Sequence, residues 1–405
     1  MLACAAASVS AQASLDARIS GSLDALDSAY GAETRGNVAG RFAPELGFAA
    51  GHGTLSYTFD GATYAAPGWG SLSHAFGGLC RIDLARDGKA TLFAGADAVL
   101  RRNGELWSDA DFDGLGARLN LELRPRSGLT LRSGYRFDDR SFAELPALDQ
   151  SEHRLFASAH ATLPSRTTLI AEVQWGAKAY AGEPLLAAIA LPAPSDTPSA
   201  AGTDASGGTR GSNGRGAGGT TASGAPLESV RPGVMPSATA PGERARLVSW
   251  LVRAAQSLGE RTGLAVEWSR RTPSGATPPA LVTVPPQFVD DGVYDDPYAS
   301  SKRKIEVSLK RAFASGLTLE ARGAVEERDY TDASAVDAAG APTGELRHDE
   351  LARAGFDAVI PVFPSRTGAT AFSLEAGYRY FHQRSNDVFY SSDSHALLLG
   401  LRIQR

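Results

Sequence analysis

The chain has 405 residues, a formal net charge of -5, a pI near 5.9 and a mean hydropathy of -0.17. That slightly acidic balance excludes a broad nucleic-acid footprint, and no run of about eighteen apolar residues is present to form a membrane-spanning helix. Cys4 and Cys80 are the only cysteines, too few for a disulfide framework or a cysteine-rich metal site.

From the amino terminus, Met1–Val9 is short, small and apolar, and Ala11-Gln-Ala13 follows as an A-x-A cleavage pattern. Residues 1–13 therefore read as the remnant of a secretory signal peptide, with Ser14 as the first mature residue. Downstream, segments of alternating apolar and polar residues predict about sixteen β-strands. Their expected spans are 14–25, 37–49, 53–64, 70–86, 89–102, 111–125, 128–142, 151–163, 167–181, 243–257, 261–272, 301–313, 316–330, 347–362, 369–384 and 392–405. Tight turns (Ala50–Gly53, Asp87–Lys89, Pro125–Gly128, Leu163–Arg166, Ser257–Arg261, Ala314–Gly316, Phe363–Gly368) alternate with longer polar connectors. An even strand number, with short turns at one end and long loops at the other, is the plan of a transmembrane β-barrel.

Each segment has two chemically distinct faces. In one, Leu115, Ala117, Leu119, Leu121 and Leu123 oppose Gly116, Arg118, Asn120, Glu122 and Arg124. In another, Leu317, Leu319, Ala321 and Val325 oppose Glu320, Arg322, Glu326 and Arg328. Such period-two patterning marks half-buried strands. A soluble sandwich also alternates, with its apolar face inward. Two features favour the barrel instead: acids and arginines at matching depths on neighbouring strands, and aromatics near strand ends (Tyr57, Phe59, Tyr135, Phe137, Trp175, Trp250, Trp268, Tyr378, Tyr380), as in an interfacial girdle. The expected fold is all-β: a single antiparallel up-and-down transmembrane β-barrel of about sixteen strands, fourteen being the alternative. It spans 14–405.

Gly182 to Gly242 interrupts the pattern. This stretch is rich in Ala, Gly, Ser, Thr and Pro, centred on Gly207–Gly219, and lacks the apolar surface to offset chain entropy. Residues 182–242 are expected to form a low-complexity, disordered extracellular loop. Leu163–Thr167 and Phe363–Thr367 repeat one turn motif, consistent with hairpin duplication; no solenoid period is present.

The hairpin Leu123–Leu131 and the last strand, Ala396–Arg405, carry a family resemblance. The chain resembles Gram-negative outer-membrane β-barrel proteins, porins included, along its whole mature length. That resemblance implies the cell outer membrane as its location, outer-membrane lipid and lipopolysaccharide as surroundings, and the barrel-assembly machinery as a partner in biogenesis. Family members usually end in an aromatic residue that this machinery reads; this sequence ends in Arg405. The oligomeric state stays open between monomer and trimer.

The candidate site is the inward, polar face. The residues expected to line a pore are Arg118, Glu122, Arg132, Arg136, Asp138, Arg154, Glu172, Lys178, Glu320, Arg322, Glu326, Glu375 and Arg379. Opposed basic and acidic rows of this kind orient polar solutes; the plainer reading is that they pair and hydrate a lumen that must be polar. His153, His348 and His395 fall near the outer rim without metal-ligand spacing. Ser158 and His160 share the lumen face without a third orienting group, so no nucleophile constellation is credible and an enzyme is not expected. No metal and no cofactor is implied. The loop Val289–Tyr298 offers oxygens for Ca²⁺ or sugars, but it lacks EF-hand order and reads as a solvated acidic loop, as does Asn386–Asp393. The favoured function is a porin-like channel for small polar solutes with a charged lumen. The alternative is a non-conducting surface barrel with a structural, adhesion or partner-binding role through its extracellular loops.

Overall fold

In the computed structural model, period-two patterning becomes extended backbone throughout. The described residues are 14–30, 33–64, 70–85, 87–105, 108, 111–180, 233–235, 244–275, 280–282, 296–337, 341–363 and 371–404. The strands are β1 (Ser14–Tyr30), β2 (Glu33–Ala50), β3 (Gly53–Tyr64), β4 (Gly70–Asp83), β5 (Ala90–Asn103), β6 (Phe112–Arg126), β7 (Leu129–Phe142), β8 (Gln150–Thr162) and β9 (Thr167–Tyr180). After β10 (Gly233–Met235) come β11 (Arg244–Ser257), β12 (Thr262–Gly275), β13 (Ala280–Val282), β14 (Ser300–Ala312), β15 (Thr318–Val336), β16 (Pro342–Phe363), β17 (Ala371–Ser385) and β18 (Ser392–Gln404).

Sixteen of these strands form one closed antiparallel ring, each beside its neighbours in sequence; β10 and β13 form a separate two-stranded sheet. The ring closes where β1 pairs β18, from Arg18 opposite Gln404 to Tyr30 opposite Ser392. Closure removes the exposed edges that an open sheet of this length would present. At the short-turn end the hairpins need special backbone. Gly128 sits at φ +77, and a Cβ there would lie 2.7 Å from the Thr162 carbonyl oxygen, so only glycine fits.

Burial decides between sandwich and membrane barrel. Leu115 and Val325 are 65 % and 60 % exposed, and Leu119 and Leu123 on the face of Leu115 are exposed with them. Glu326 and Arg328, on the opposite face of Val325's strand, are only 3 % and 4 % exposed. A soluble sandwich would bury the apolar set; here it forms an outward belt, too extensive for contact with water. Among the described residues, buried apolar side chains gather in small clusters, Phe112–Phe142–Leu148 and Ala245–Leu247–Tyr298.

Three expectations change. First, β1 and β2 run on to Tyr30 and from Glu33, leaving a connector of residues 31–32 where a longer loop was expected. Second, β15 and β16 extend to Val336 and back to Pro342, with register shifts between Asp329 and Ser334. Polar sequences stay extended there because cross-strand pairing satisfies their backbone groups. Third, within the low-complexity insert Gly233–Met235 is a strand, paired with Ala280–Val282. The remainder of residues 182–242 and residues 1–13 lie outside the described residues, apart from these three positions.

Candidate functional site: the charged inner wall

Along a strand, positions two apart share a face, and the inner wall is built on that spacing. Acid and base two residues apart form ion pairs again and again: Glu122–Arg124 at 2.6 Å, Arg136–Asp138 at 2.7 Å, Glu152–Arg154 at 2.5 Å and Glu320–Arg322 at 3.2 Å. Glu326–Arg328 and Arg347–Asp349 repeat the motif at 2.5 Å each.

The thirteen candidates fall into two groups on the wall. The first lies on β6–β9. Register aligns Arg118 with Arg136 and Arg136 with Arg154, so three guanidinium groups stand side by side on adjacent strands. One row away, Asp138 stands opposite Glu152, and Glu152 opposite Lys178. Arg136 also reaches Asp97 at 3.9 Å. Deeper in the barrel, Glu122 accepts from Arg132 Nε at 2.8 Å, and Glu172 stands in register with Ser158. Arg118 differs from its neighbours in that its buried Nε has no hydrogen-bond partner among the described residues. It lies across Gly95, where a Cβ would come within 2.9 Å of that nitrogen.

The second group lies on β14–β17. Glu326 receives Lys302 Nζ at 2.8 Å and Arg328 Nε at 2.5 Å, with Arg353 at 4.0 Å. Asp357 joins Arg322 at 3.0 Å and Arg379 at 2.6 Å, and the two arginines flank Gly355. Glu375 sits on the same face of β17 as Arg379 and pairs in register with Val359 and Gly400. The two groups form two stretches of wall, one on β6–β9 and one on β14–β17.

Apolar outside, ionic inside, closed on itself, the fold satisfies every requirement of a strand-built membrane span. The chain folds as a closed transmembrane-type β-barrel. Solved structures similar to it include Pseudomonas aeruginosa OccK2 (OpdF), at 12% identity and a TM-score of 0.49 over 96% of this chain and 98% of that one. Acinetobacter baumannii OccAB1 follows at 10% identity and 0.48, over 96% of each chain. A bacterial polysaccharide outer membrane secretin shares 10% identity at 0.47, over 96% of this chain and 97% of that one. No family model and no curated protein matches. With similarity this distant, the assignment rests on the barrel's own registers and burial.

Sequence reading missed the side chains that lean in from the outer loops. Asp296 and Tyr298 belong to a loop expected to be solvated, yet Tyr298 is 1 % exposed and packs on Ala245 and Leu247. Its hydroxyl donates to Glu152 Oε1 at 2.6 Å, while Lys178 Nζ donates to Asp296 at 2.5 Å and Tyr180 donates to the same carboxylate. Lys178 is thereby covered. Burial, then the neighbouring Glu152 carboxylate, push the Tyr298 phenol well above its ordinary pKa, so it stays a hydrogen-bond donor. Across the ring, Arg347 is held between the Tyr330 and Tyr390 rings, with centroids 4.2 and 3.1 Å away, and its guanidinium bonds Asp349 at 2.5 Å. Asp387 is buried and accepts from the Val336 N–H, so Asn386–Asp393 is no freely solvated loop either. Glu152-x-Arg154 and Arg347-x-Asp349 show the spacing that could have flagged these sites; the covering tyrosines carry no local signal.

Proposed function

We propose that the barrel is a porin-like channel for small polar solutes in the outer membrane of a Gram-negative bacterium. The observation that carries this reading is a closed ring of sixteen strands whose inner face is ionic. Rings of roughly eight strands are filled by their own side chains, whereas those of roughly sixteen to eighteen leave an aqueous channel. The aligned Arg118, Arg136 and Arg154 give one side of that channel a basic step, which favours solutes bearing an anionic group. Asp296–Ala299, folded inward onto β8, β9 and β11, takes up part of the cross-section on the same side.

Planar bilayers test the proposal. Purified barrel should give discrete single-channel currents with anions favoured over cations. A barrel that inserts but passes no current, even after removal of residues 182–242, overturns it and points to the surface-binding alternative. The double variant Arg132→Glu, Arg136→Glu should move the reversal potential in a salt gradient toward cation preference; an unmoved potential would take these residues off the conducting wall.

A further inference from the structure

One arrangement on the outward face recurs three times and plays no part in the lumen. Tyr57 OH and His74 Nδ1 lie 2.9 Å apart, Tyr135 OH and His153 Nδ1 2.6 Å, and Tyr378 OH and His395 Nδ1 2.7 Å. In each, the tyrosine is on one strand and the histidine on the next, and a second aromatic stands directly opposite the histidine: Phe59, Phe137 or Tyr380. Its ring centroid is 5.2, 5.1 and 5.1 Å from the imidazole. All three histidines lie four or five residues into a strand that descends from the long-loop rim, β4, β8 or β18.

The surroundings fix the depth. Two residues toward the middle of each histidine strand stand Phe76, Leu155 and Leu397, all about half exposed on the apolar belt. Two residues toward the rim, or opposite that position, the same face carries Arg102, Asp139 and Asp393. The triads therefore mark the boundary between the apolar belt and a charged one. A polar group left unpaired at such a boundary is costly, and the phenol satisfies only one imidazole nitrogen. The Tyr–His contacts carry no fixed direction; taking the tyrosine O–H as donor to Nδ1 puts the imidazole proton on Nε2 and leaves a second donor free. The groups of a bilayer that lie at this depth and can only accept are the acyl ester carbonyls. Asp139 and Asp393 disfavour the lipid phosphate in that role at two of the sites, and at the third Arg102 is already paired with Asp113 at 2.7 Å.

We propose that His74, His153 and His395 are three lipid-anchoring sites, each donating from Nε2 to an acyl ester carbonyl of the bilayer leaflet at the long-loop end. The inference rests on the transmembrane placement of the barrel, which insertion tests separately. Wild-type barrel is folded into vesicles of diester phosphatidylcholine and of the diether lipid with the same chains and headgroup. Insertion is first checked by heat-modifiable gel mobility, and equilibrium unfolding in urea is then followed by tryptophan fluorescence. Three hydrogen bonds of ordinary net strength make the unfolding constant on the order of 100-fold smaller in the ester vesicles. A variant carrying His74→Phe, His153→Phe and His395→Phe together with Tyr57→Phe, Tyr135→Phe and Tyr378→Phe should erase that ratio. If the six-fold variant does not insert, each single Tyr/His pair changed to Phe should lower it by roughly fivefold. Equal wild-type stability in the two vesicles, or a ratio that survives the substitutions, overturns the proposal. Stability lost equally in both lipids would assign the donors to the shared phosphate and also overturn it. Failure of the wild type to insert would instead strike the membrane placement itself.

Discussion

At the scale of single residues, the inner wall is organised by acid–base pairs two positions apart. The most enclosed is Glu326, which carries Lys302 and Arg328 within hydrogen-bond distance and is almost without exposure. Such a pair adds little over an apolar wall, but removing one partner leaves a buried charge uncompensated. Glu326→Gln should therefore cost about 3 kcal/mol of unfolding free energy, measured by urea titration of the vesicle-inserted barrel. Glu320→Gln, whose Arg322 keeps Asp357 as a second partner, should cost far less. Equal losses at the two positions would show that burial does not set the hierarchy. The two-residue spacing was legible in the sequence because strand geometry alone fixes which positions share a face. Which pair would be covered was not, since that depends on what lies across the ring.

At the scale of elements, every one of the sixteen barrel strands was located by alternation. Strand ends were read less well at the long-loop rim. There β1–β2 and β15–β16 continue past the apolar belt as paired polar ribbons, and backbone pairing leaves no trace in hydropathy. The inward loops were illegible for a related reason: Tyr298 and Tyr390 are placed by partners more than thirty residues distant in sequence, Glu152 and Arg347 respectively. Tyr298 holds its loop against the wall, and Tyr298→Phe should cost about 1 kcal/mol through the lost bond to Glu152. Tyr298→Ala should in addition raise single-channel conductance, because the loop loses its packing on Leu247. A conductance unchanged by Tyr298→Ala would place the segment outside the current path.

That phenol also gives a pH dependence with a definite sign. Its pKa is raised in the folded barrel relative to an ordinary tyrosine near 10. The stability it contributes is thus complete below pH of about 10 and is lost as pH rises beyond it. Conductance traces should be steady from neutral pH to mildly alkaline solution and become noisier only above that range, whereas Tyr298→Phe should show no such onset.

At the scale of the molecule, the two wall groups divide the ring into an arginine-rich side on β6–β9 and a more balanced side on β14–β17. Residues 182–242 connect β9 to β11 yet leave those strands paired in continuous register from Arg244 opposite Ala179 to Gln256 opposite Thr167. Deleting the insert should leave insertion and the urea midpoint unchanged, as loop length changes closure entropy only slowly. A large fall in midpoint would mean that the insert has a structural role in the wall.

The pairing of β1 with β18 also means that topology distinguishes no strand as first. Gln404 stands opposite Arg18 at the short-turn rim, so with residues 1–13 removed a short linker could join β18 to β1 and a new opening could be cut at another tight turn, such as Ser127–Gly128. Circular permutants opened along that rim should close into the same ring, whereas loss of any one strand leaves two raw edges and no ring at all. Assembly is in that sense indivisible: the wall is complete only when β1 and β18 have paired.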